Sequence, residues 1–484
     1  MLRLALLGQS LFADELSTWW IVSSNGLGGV VSTVHTDAEI TPPLSFALSW
    51  LATRIHLSPE WLRLPSLVAG VAIVPFTYLL GLRTVGRWAG VLAAGLVTVS
   101  PFMLFYSVEA RGYALMVALV LVSTLAMLEA ARDGRRRWWV LYALATCAAV
   151  YSHYIVVFAL GAQLAWLLWA HSEARQPALL ANGAAALGFL PWVTGLSADF
   201  GSPTTRILSQ LQPFKVDAIT TSLGHWAVGY PTIFVFPHTQ LRELPGRAAL
   251  AALALGVAIG AAGAAAHWLR RRPCPAPPVV LVVLLALATP VGEALVSAVG
   301  TNLFGTRNLA VAWPPAAVVL AGVLLAAGPR LRIAAVALVV AGFSVGAAKM
   351  LEDRFARPDY EAAAAYVDRG ARRDDVVVDG SVAFATPGPV TGLDVSLRRP
   401  HRILRAGGPQ ERDDPFSAAD PVLPAPRVMR LAAAAARGHR LFVVASHPIA
   451  RALPPPPAPF HEVDRRDYPG LLDLSVRVYE DGRG

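Results

Sequence analysis

A chain of 484 residues that is 55% hydrophobic and only 15% charged, with a mean hydropathy of +0.51, falls well short of the roughly 25% charged residues of an ordinary soluble protein. Its continuous apolar runs of about 20 residues predict a polytopic α-helical membrane protein and exclude an outer-membrane barrel, whose strands alternate apolar and polar residues. The net charge of +9 rests almost wholly on arginine, Lys215 and Lys349 being the two lysines. These arginines stand at the ends of apolar runs, so they orient helices by the positive-inside rule and do not describe a nucleic-acid-binding surface.

The N-terminus opens on an apolar segment, residues 1–8, far shorter than the about 20 residues that cross a bilayer core. It is expected to be the remainder of a first helix shortened by a misplaced start codon, or a segment that dips into the interface. The acidic pair Asp14-Glu15 follows, and residues 9–61 are expected to form an outer loop. Within it Pro43 suits the first turn of a helix. Residues 44–55, with Phe46, Leu48, Trp50 and Leu51, are too short for an easy span and predict an interfacial helix along the outer surface.

Ten spans are predicted thereafter, at about residues 62–82, 88–105, 113–131, 138–151, 154–171, 178–196, 247–269, 277–299, 308–327 and 333–348. Arg83 and Arg87, Arg132 with Arg135, Arg136 and Arg137, Arg175, Arg270 with Arg271 and Arg272, and Arg330 with Arg332 fall between alternate pairs. Those loops are assigned to the cytoplasm and the intervening ones to the outside. Ser152-His153 is then an outward turn, and residues 197–245 form a long outer loop carrying Trp226, Tyr230, Phe234 and Phe236. Such aromatics suit sugar faces and membrane interfaces alike. Cys147 lies in an apolar run and Cys274 in a basic loop, so neither a disulfide nor a thiolate metal centre is expected.

Residues 1–348 are taken as the membrane domain and 349–484 as a small extracytoplasmic α/β domain, rich in Arg, Asp and Pro. A helix is predicted over 358–369, strands over 375–379, 441–445 and 474–479, and a stiff turn over the prolines 454–457. No nucleotide-binding glycine loop occurs here, and Ser446-His447 lacks a third partner.

Several short elements together resemble one family. Residues 9–15 (QSLFADE) look like the opening of the first outer loop of the GT-C membrane glycosyltransferases, close to the protein O-mannosyltransferase and aminoarabinose-transferase group, a glycosyltransferase family 39-like set. Residues 39–44 (EITPPL) resemble that group's Glu-x-His-Pro-Pro-Leu element, residues 62–67 (LRLPSL) the start of its second span, and residues 106–115 (YSVEARGYAL) its Tyr-Ser-x-Glu-Ala-Arg-x-Tyr-x-Leu element. Ser152-His153-Tyr154 and Thr306-Arg307-Asn308-Leu309 have counterparts too. Thr41 stands where the group commonly has histidine, and Asn308 where it commonly has tyrosine. The resemblance covers about residues 9–379. It implies a GT-C fold of about 10–11 transmembrane helices. It also implies an inverting hexosyl- or pentosyltransferase that takes sugar from a polyprenyl-phosphate donor and passes it to a glycan, lipid or protein acceptor outside the plasma (inner) membrane. Arginine and alanine usage points to a GC-rich bacterium and so to mannose or arabinose chemistry of a cell envelope.

Transfer from a phosphate ester needs a base for the acceptor hydroxyl and cationic stabilisation of the leaving phosphate. By the resemblance Asp14 is the base. At the end of an apolar stretch, partial desolvation would raise its pKa usefully; the plain alternative is a helix-end cap. Glu15 is expected to orient the loop beside the substrate. Glu39 is a sugar contact or, equally, an acid suited to a helix N-terminus. Glu109 and Arg111 stand at the mouth of a span, where a charged pair is costly enough to suggest a purpose. Arg111 and Arg307 are candidate phosphate contacts, the latter weighed against a snorkelling arginine. His153 is either a substrate contact or a structural turn residue. A divalent ion held by Asp14, Glu39 or Glu109 has no Asp-x-Asp motif behind it. Two other classes stay open: a lipid-linked sugar flippase and a non-catalytic membrane subunit. Against the first, there is no clear repeat, and Glu293 is the main charge expected near the midplane.

Overall fold

The computed structural model describes residues 1–36, 39–202, 215–229, 239–271, 274–300, 302–381, 390–407 and 423–482. The chain divides by its contacts into two compact units, one of Met1–Ala5 with Asn25–Met350, the other of Leu6–Ser24 with Leu351–Gly484.

The first unit is helical. Among the described residues seven helices are long and apolar enough to cross a membrane: Pro59–Thr84, Tyr113–Asp133, Ser172–Gly201, Arg242–Arg270, Pro277–Val299, Asn308–Ala326 and Pro329–Lys349. The other three expected spans fall on shorter helices, Arg87–Val99, Arg136–Ser152 and Val157–Ala170, and the one expected at 88–105 breaks at Ser100, beyond which Pro101–Tyr106 is a separate helix. Proline sits in the first turn of several of them, at Pro59, Pro277 and Pro329, where its missing N–H is no loss.

Small and polar side chains bring these helices together, as expected where lipid removes the hydrophobic drive between helices. A Cβ added at Gly81 would lie 2.4 Å from the Gly90 Cα, so Pro59–Thr84 and Arg87–Val99 touch backbone to backbone. Deeper, the Ser123 hydroxyl donates to Gln163 Oε1 at 2.9 Å and lies 3.0 Å from the Thr146 hydroxyl, while Gln163 Nε2 donates to Thr124 at 2.9 Å. This buried network ties three successive helices. Leu44–Thr53 is a separate short helix, as expected. Its buried residues Ser45, Phe46, Ser49, Ala52 and Thr53 recur at helical spacing on one face.

The second unit holds a six-stranded sheet in the order β3-β2-β1-β4-β6-β5. The strands are β1 (Val376–Gly380), β2 (Arg402–Gly407), β3 (Leu423–Pro424), β4 (Arg440–Ser446), β5 (Phe460–Tyr468) and β6 (Leu474–Asp481). The first four run parallel, and β6 and β5 extend the sheet antiparallel. Val376, Val378, Leu441 and Val443 meet Val428, Met429 and Ala432 of helix Ala425–Ala435 in the core. Helix Tyr360–Gly370 starts where Asp359 accepts from the Ala362 N–H at 2.9 Å, an N-cap bond. The expected helix and three expected strands are present. β2, β3 and β5 were not anticipated. β5 reads Phe-His-Glu-Val-Asp-Arg-Arg-Asp-Tyr and is largely exposed, so it lacks the apolar alternation that identifies a strand.

Candidate functional site

Asp14 is the first residue of helix Asp14–Ser23, in the second unit, and is half-buried. Ala13 before it has φ 50° and ψ −121°, a conformation a residue with a Cβ rarely adopts. A backbone held this way fixes how Asp14 leaves the chain. Glu15 is fully buried. It accepts from the Phe12 N–H at 3.3 Å and pairs with Arg357 at 3.3 Å, itself nearly inaccessible. Two further bonds hold the segment: Gln9 Oε1 accepts from the Arg357 N–H at 3.3 Å, and the Ser10 hydroxyl from the Glu361 N–H at 3.2 Å.

The remaining candidates lie in the first unit. Glu39 and Arg111, 72 positions apart in sequence, form a buried two-pronged ion pair. Arg111 Nη1 meets Glu39 Oε1, and Nη2 donates to Oε2 at 2.8 Å. Thr41, in the place of the family's histidine, donates to Glu39 Oε2 at 3.4 Å. The Arg111 guanidinium lies 5.4 Å from the Phe46 ring centre, and the Ser66 hydroxyl donates to its carbonyl at 3.1 Å. Glu109 is buried two residues earlier in the same loop. Gly112 ends that loop against the Ser152 carbonyl, where an added Cβ would lie 2.7 Å from the oxygen.

Tyr113 links the rest. Its ring is 5.5 Å from the His153 ring and 5.9 Å from the Arg307 guanidinium. His153 caps the end of helix Arg136–Ser152. Burial first, then the charges of Arg307 and Arg111, push its pKa down to about 3. The imidazole is therefore neutral at physiological pH, beside two guanidinium groups. Arg307 is half-buried at the start of the Asn308–Ala312 turn. Its loop hangs from helix Pro277–Val299, where Glu293 Oε2 accepts from the Gly305 N–H at 3.2 Å. On the same helix face the Ser297 hydroxyl accepts from the Leu303 and Phe304 N–H groups at 2.9 and 3.0 Å. Asn308, in the place of the family's tyrosine, donates to the Leu303 carbonyl at 2.8 Å.

The structure thus gathers Glu39, Arg111, His153 and Arg307 from four segments of one unit. Three participants were given no role by the sequence. Arg357 looks like an ordinary basic residue in sequence, yet it is buried against Glu15. Tyr113 lies in the 106–115 element, whose match did not say what its ring does, and Ser297 reads as one small residue in an apolar run; an acid at 293 followed four residues later by a hydroxyl was the available signal for the latter. Tyr230, Phe234 and Phe236 of the long loop lie outside the described residues; Trp226 packs edge-on against Trp313 at 5.3 Å. Among the described residues no three His, Cys, Asp or Glu side chains converge as a metal site would require.

Residues 41–194 match the dolichyl-phosphate-mannose-protein mannosyltransferase family. That region contains the Arg111, Tyr113 and His153 segments. No curated protein sequence matches the chain. Among solved structures the chain is similar to ArnT from Cupriavidus metallidurans bound to undecaprenyl phosphate, with 12% identity, a TM-score of 0.57, and 98% of this chain and 95% of that one covered. The apo form of the same protein gives 13% identity and a TM-score of 0.53 over the same shares. The oligosaccharyltransferase of Archaeoglobus fulgidus in its apo form gives 12% and 0.51, covering 92% of this chain and 68% of that one. Likeness at such identity is a likeness of fold. The chain thus has a fold of the GT-C membrane glycosyltransferase type, and its residues 41–194 carry the similarity to the mannosyltransferase family.

Proposed function

We propose that this protein transfers a sugar from a polyprenyl-phosphate donor to an acceptor on the extracytoplasmic side of a bacterial inner membrane, inverting the anomeric centre. The observation that carries the reading is the convergence of Arg111 and Arg307 on neutral His153, with the Tyr113 ring against His153 and Arg307. It occurs within a fold shared with a protein described as bound to undecaprenyl phosphate.

The chemistry follows from the groups. The acceptor oxygen attacks the anomeric carbon, the bond from that carbon to the phosphate oxygen breaks, and Asp14 takes the acceptor's proton. The charge appearing on the polyprenyl phosphate falls to Arg307, with Arg111 behind it; guanidinium forks suit phosphate oxygens and act strongly where water is excluded. Glu39 fixes the Arg111 side chain, and His153, uncharged, can donate a hydrogen bond without adding to the cationic repulsion. Glu109, buried in the same loop as Arg111, would contact the sugar hydroxyls. Glu15, through Arg357, holds the backbone that presents Asp14.

The test is to incubate the purified protein with a panel of radiolabelled polyprenyl-phosphate sugars and measure release of polyprenyl phosphate. Asp14→Asn is expected to lower turnover by about 10²–10⁴-fold, the usual contribution of a general base, with normal membrane insertion. Unchanged turnover would remove Asp14 from the mechanism. Arg307→Ala should raise the KM for donor more than Arg307→Lys does, since lysine keeps the charge but not the fork.

A further inference from the structure

The hairpin of β5 and β6 sets Arg465 directly opposite Arg477 and Asp467 opposite Ser475. Because side chains alternate across a strand, these four share one face. The next strand inward, β4, places Val443 opposite Arg477 and Ala445 opposite Ser475, and both of those belong to the apolar core under helix Ala425–Ala435. Along one sheet face, then, the surface changes from apolar to basic within a single strand. Helix His447–Ala452 follows β4 directly. Between it and the hairpin lies a cleft of about 470 Å³ lined by His447, Arg451, Arg465, Asp467, Asp473 and Arg477, among others.

Like charges directly opposite each other on paired strands are destabilising. Here the opposition is only half relieved: Arg465 meets Asp467 at 3.0 Å, while the Nε of Arg477 is buried with no hydrogen-bond partner among the described residues. The other face of β5 uses its charges within the fold. Asp464 accepts from the Tyr366 hydroxyl, and Arg466 lies 5.9 Å from the Tyr366 ring centre. In the cleft Arg465 is held by Asp467 and Arg477 bears on Tyr479, but the Arg477 Nε stays buried without a hydrogen-bond partner among the described residues. A like-charge opposition compensated only in part, with one buried guanidinium nitrogen unpartnered beside a cleft, points to something bound.

Three guanidinium groups around one cleft suit a phosphate or carboxylate, held through paired N–H donors. Asp467 and Asp473 can only accept hydrogen bonds when ionised, so beside an anion they suit the hydroxyl groups of a sugar. The volume lies within the range of small-molecule sites, roughly 300–1,000 Å³, and exceeds what a lone oxyanion fills.

We propose that this cleft binds an acidic sugar, a phosphorylated or uronic residue, through Arg451, Arg465 and Arg477. Binding here needs no turnover, so its failure and that of the transfer reaction are separate results. The experiment is calorimetric titration of the full-length protein in detergent with glucose 6-phosphate, glucuronate, glucose and inorganic phosphate. Both acidic sugars should bind, with glucose and inorganic phosphate at least about tenfold weaker, since each supplies only half of the recognition. Arg451→Ala/Arg477→Ala should lose at least about tenfold in affinity, whereas Arg437→Ala, at an exposed site elsewhere in the domain, should not. The single variant Arg477→Gln should lose affinity while its Tm stays level or rises, because it removes a like-charge opposition; a binding defect with that signature is not unfolding. Full affinity in the double variant, or equal affinity for glucose, would overturn the site. Equal affinity for inorganic phosphate would overturn the assignment to a sugar.

Discussion

The buried pair of Glu15 and Arg357 shows how much a single charge can carry. Both side chains are almost wholly excluded from solvent, and truncating one member of such a pair leaves the other uncompensated at a cost of about 3–5 kcal/mol. Glu15→Ala is therefore expected to lower the thermal unfolding temperature of the protein markedly. The double replacement Glu15→Met/Arg357→Leu should recover most of that loss, because apolar substitutes of similar size can equal a buried ion pair. A single variant as stable as the parent would show the pair to be dispensable. His153 carries a second prediction. Its pKa in the folded state is pushed down to about 3 by burial and by Arg307 and Arg111, below the about 6.5 of an unfolded chain. Between these values the unfolded state binds a proton that the folded state refuses, so stability falls as pH drops from about 6.5 toward 3, by at most about 1.4 kcal/mol per pH unit. His153→Gln should show a smaller loss of Tm over that window. Equal acid sensitivity in the two proteins would place the titrating group elsewhere.

Loops between helices position the candidate site, and they do so through backbone contacts. The Ser107–Gly112 turn reaches helix Tyr113–Asp133 only because Gly112 presents no side chain to the Ser152 carbonyl. Gly112→Ala would place a carbon 2.7 Å from that oxygen. Overpacking of this kind costs about 1–3 kcal/mol, and relief requires the loop bearing Arg111 to move from the turn bearing His153. The variant should fold, retain the helix content of the parent by circular dichroism, and lose about tenfold or more in donor turnover. Parent-like turnover would mean that this spacing does not matter. The loop before Arg307 depends on side chains instead: Glu293 and Ser297, one turn apart, accept its backbone N–H groups. A carboxylate in a spanning helix is expensive, and holding the Gly305 amide beside the two that Ser297 accepts gives it a purpose.

Across the molecule, the basic loops imply an orientation that one native residue can test. Cys274 is exposed, close to Arg270 in a loop assigned to the cytoplasm, and Cys147 is partly covered within a helix. A membrane-impermeant maleimide should leave Cys274 unlabelled in intact cells and label it after lysis. Labelling in intact cells would invert the proposed orientation. Much of the architecture was legible beforehand because bilayer crossing needs long apolar runs and bilayer orientation needs flanking charge. The ten spans, the short helix at residues 44–53, and the helix and three strands of the C-terminal domain all follow from such one-dimensional patterns. The motifs likewise named Glu39, Arg111, His153 and Arg307 as candidates. No pattern along the chain could show that Glu39 closes on Arg111 across 72 positions, that Arg357 is the partner of Glu15, or that Tyr113 stands between His153 and Arg307. Nor could it show that the charged segment 460–468 is an edge strand laying Arg465 opposite Arg477. Apolar periodicity is a property of neighbours in sequence, so composition and spacing determine which segments are helices and strands. Pairing of buried charges depends on distances between segments, and those exist only once the helices and the sheet have packed.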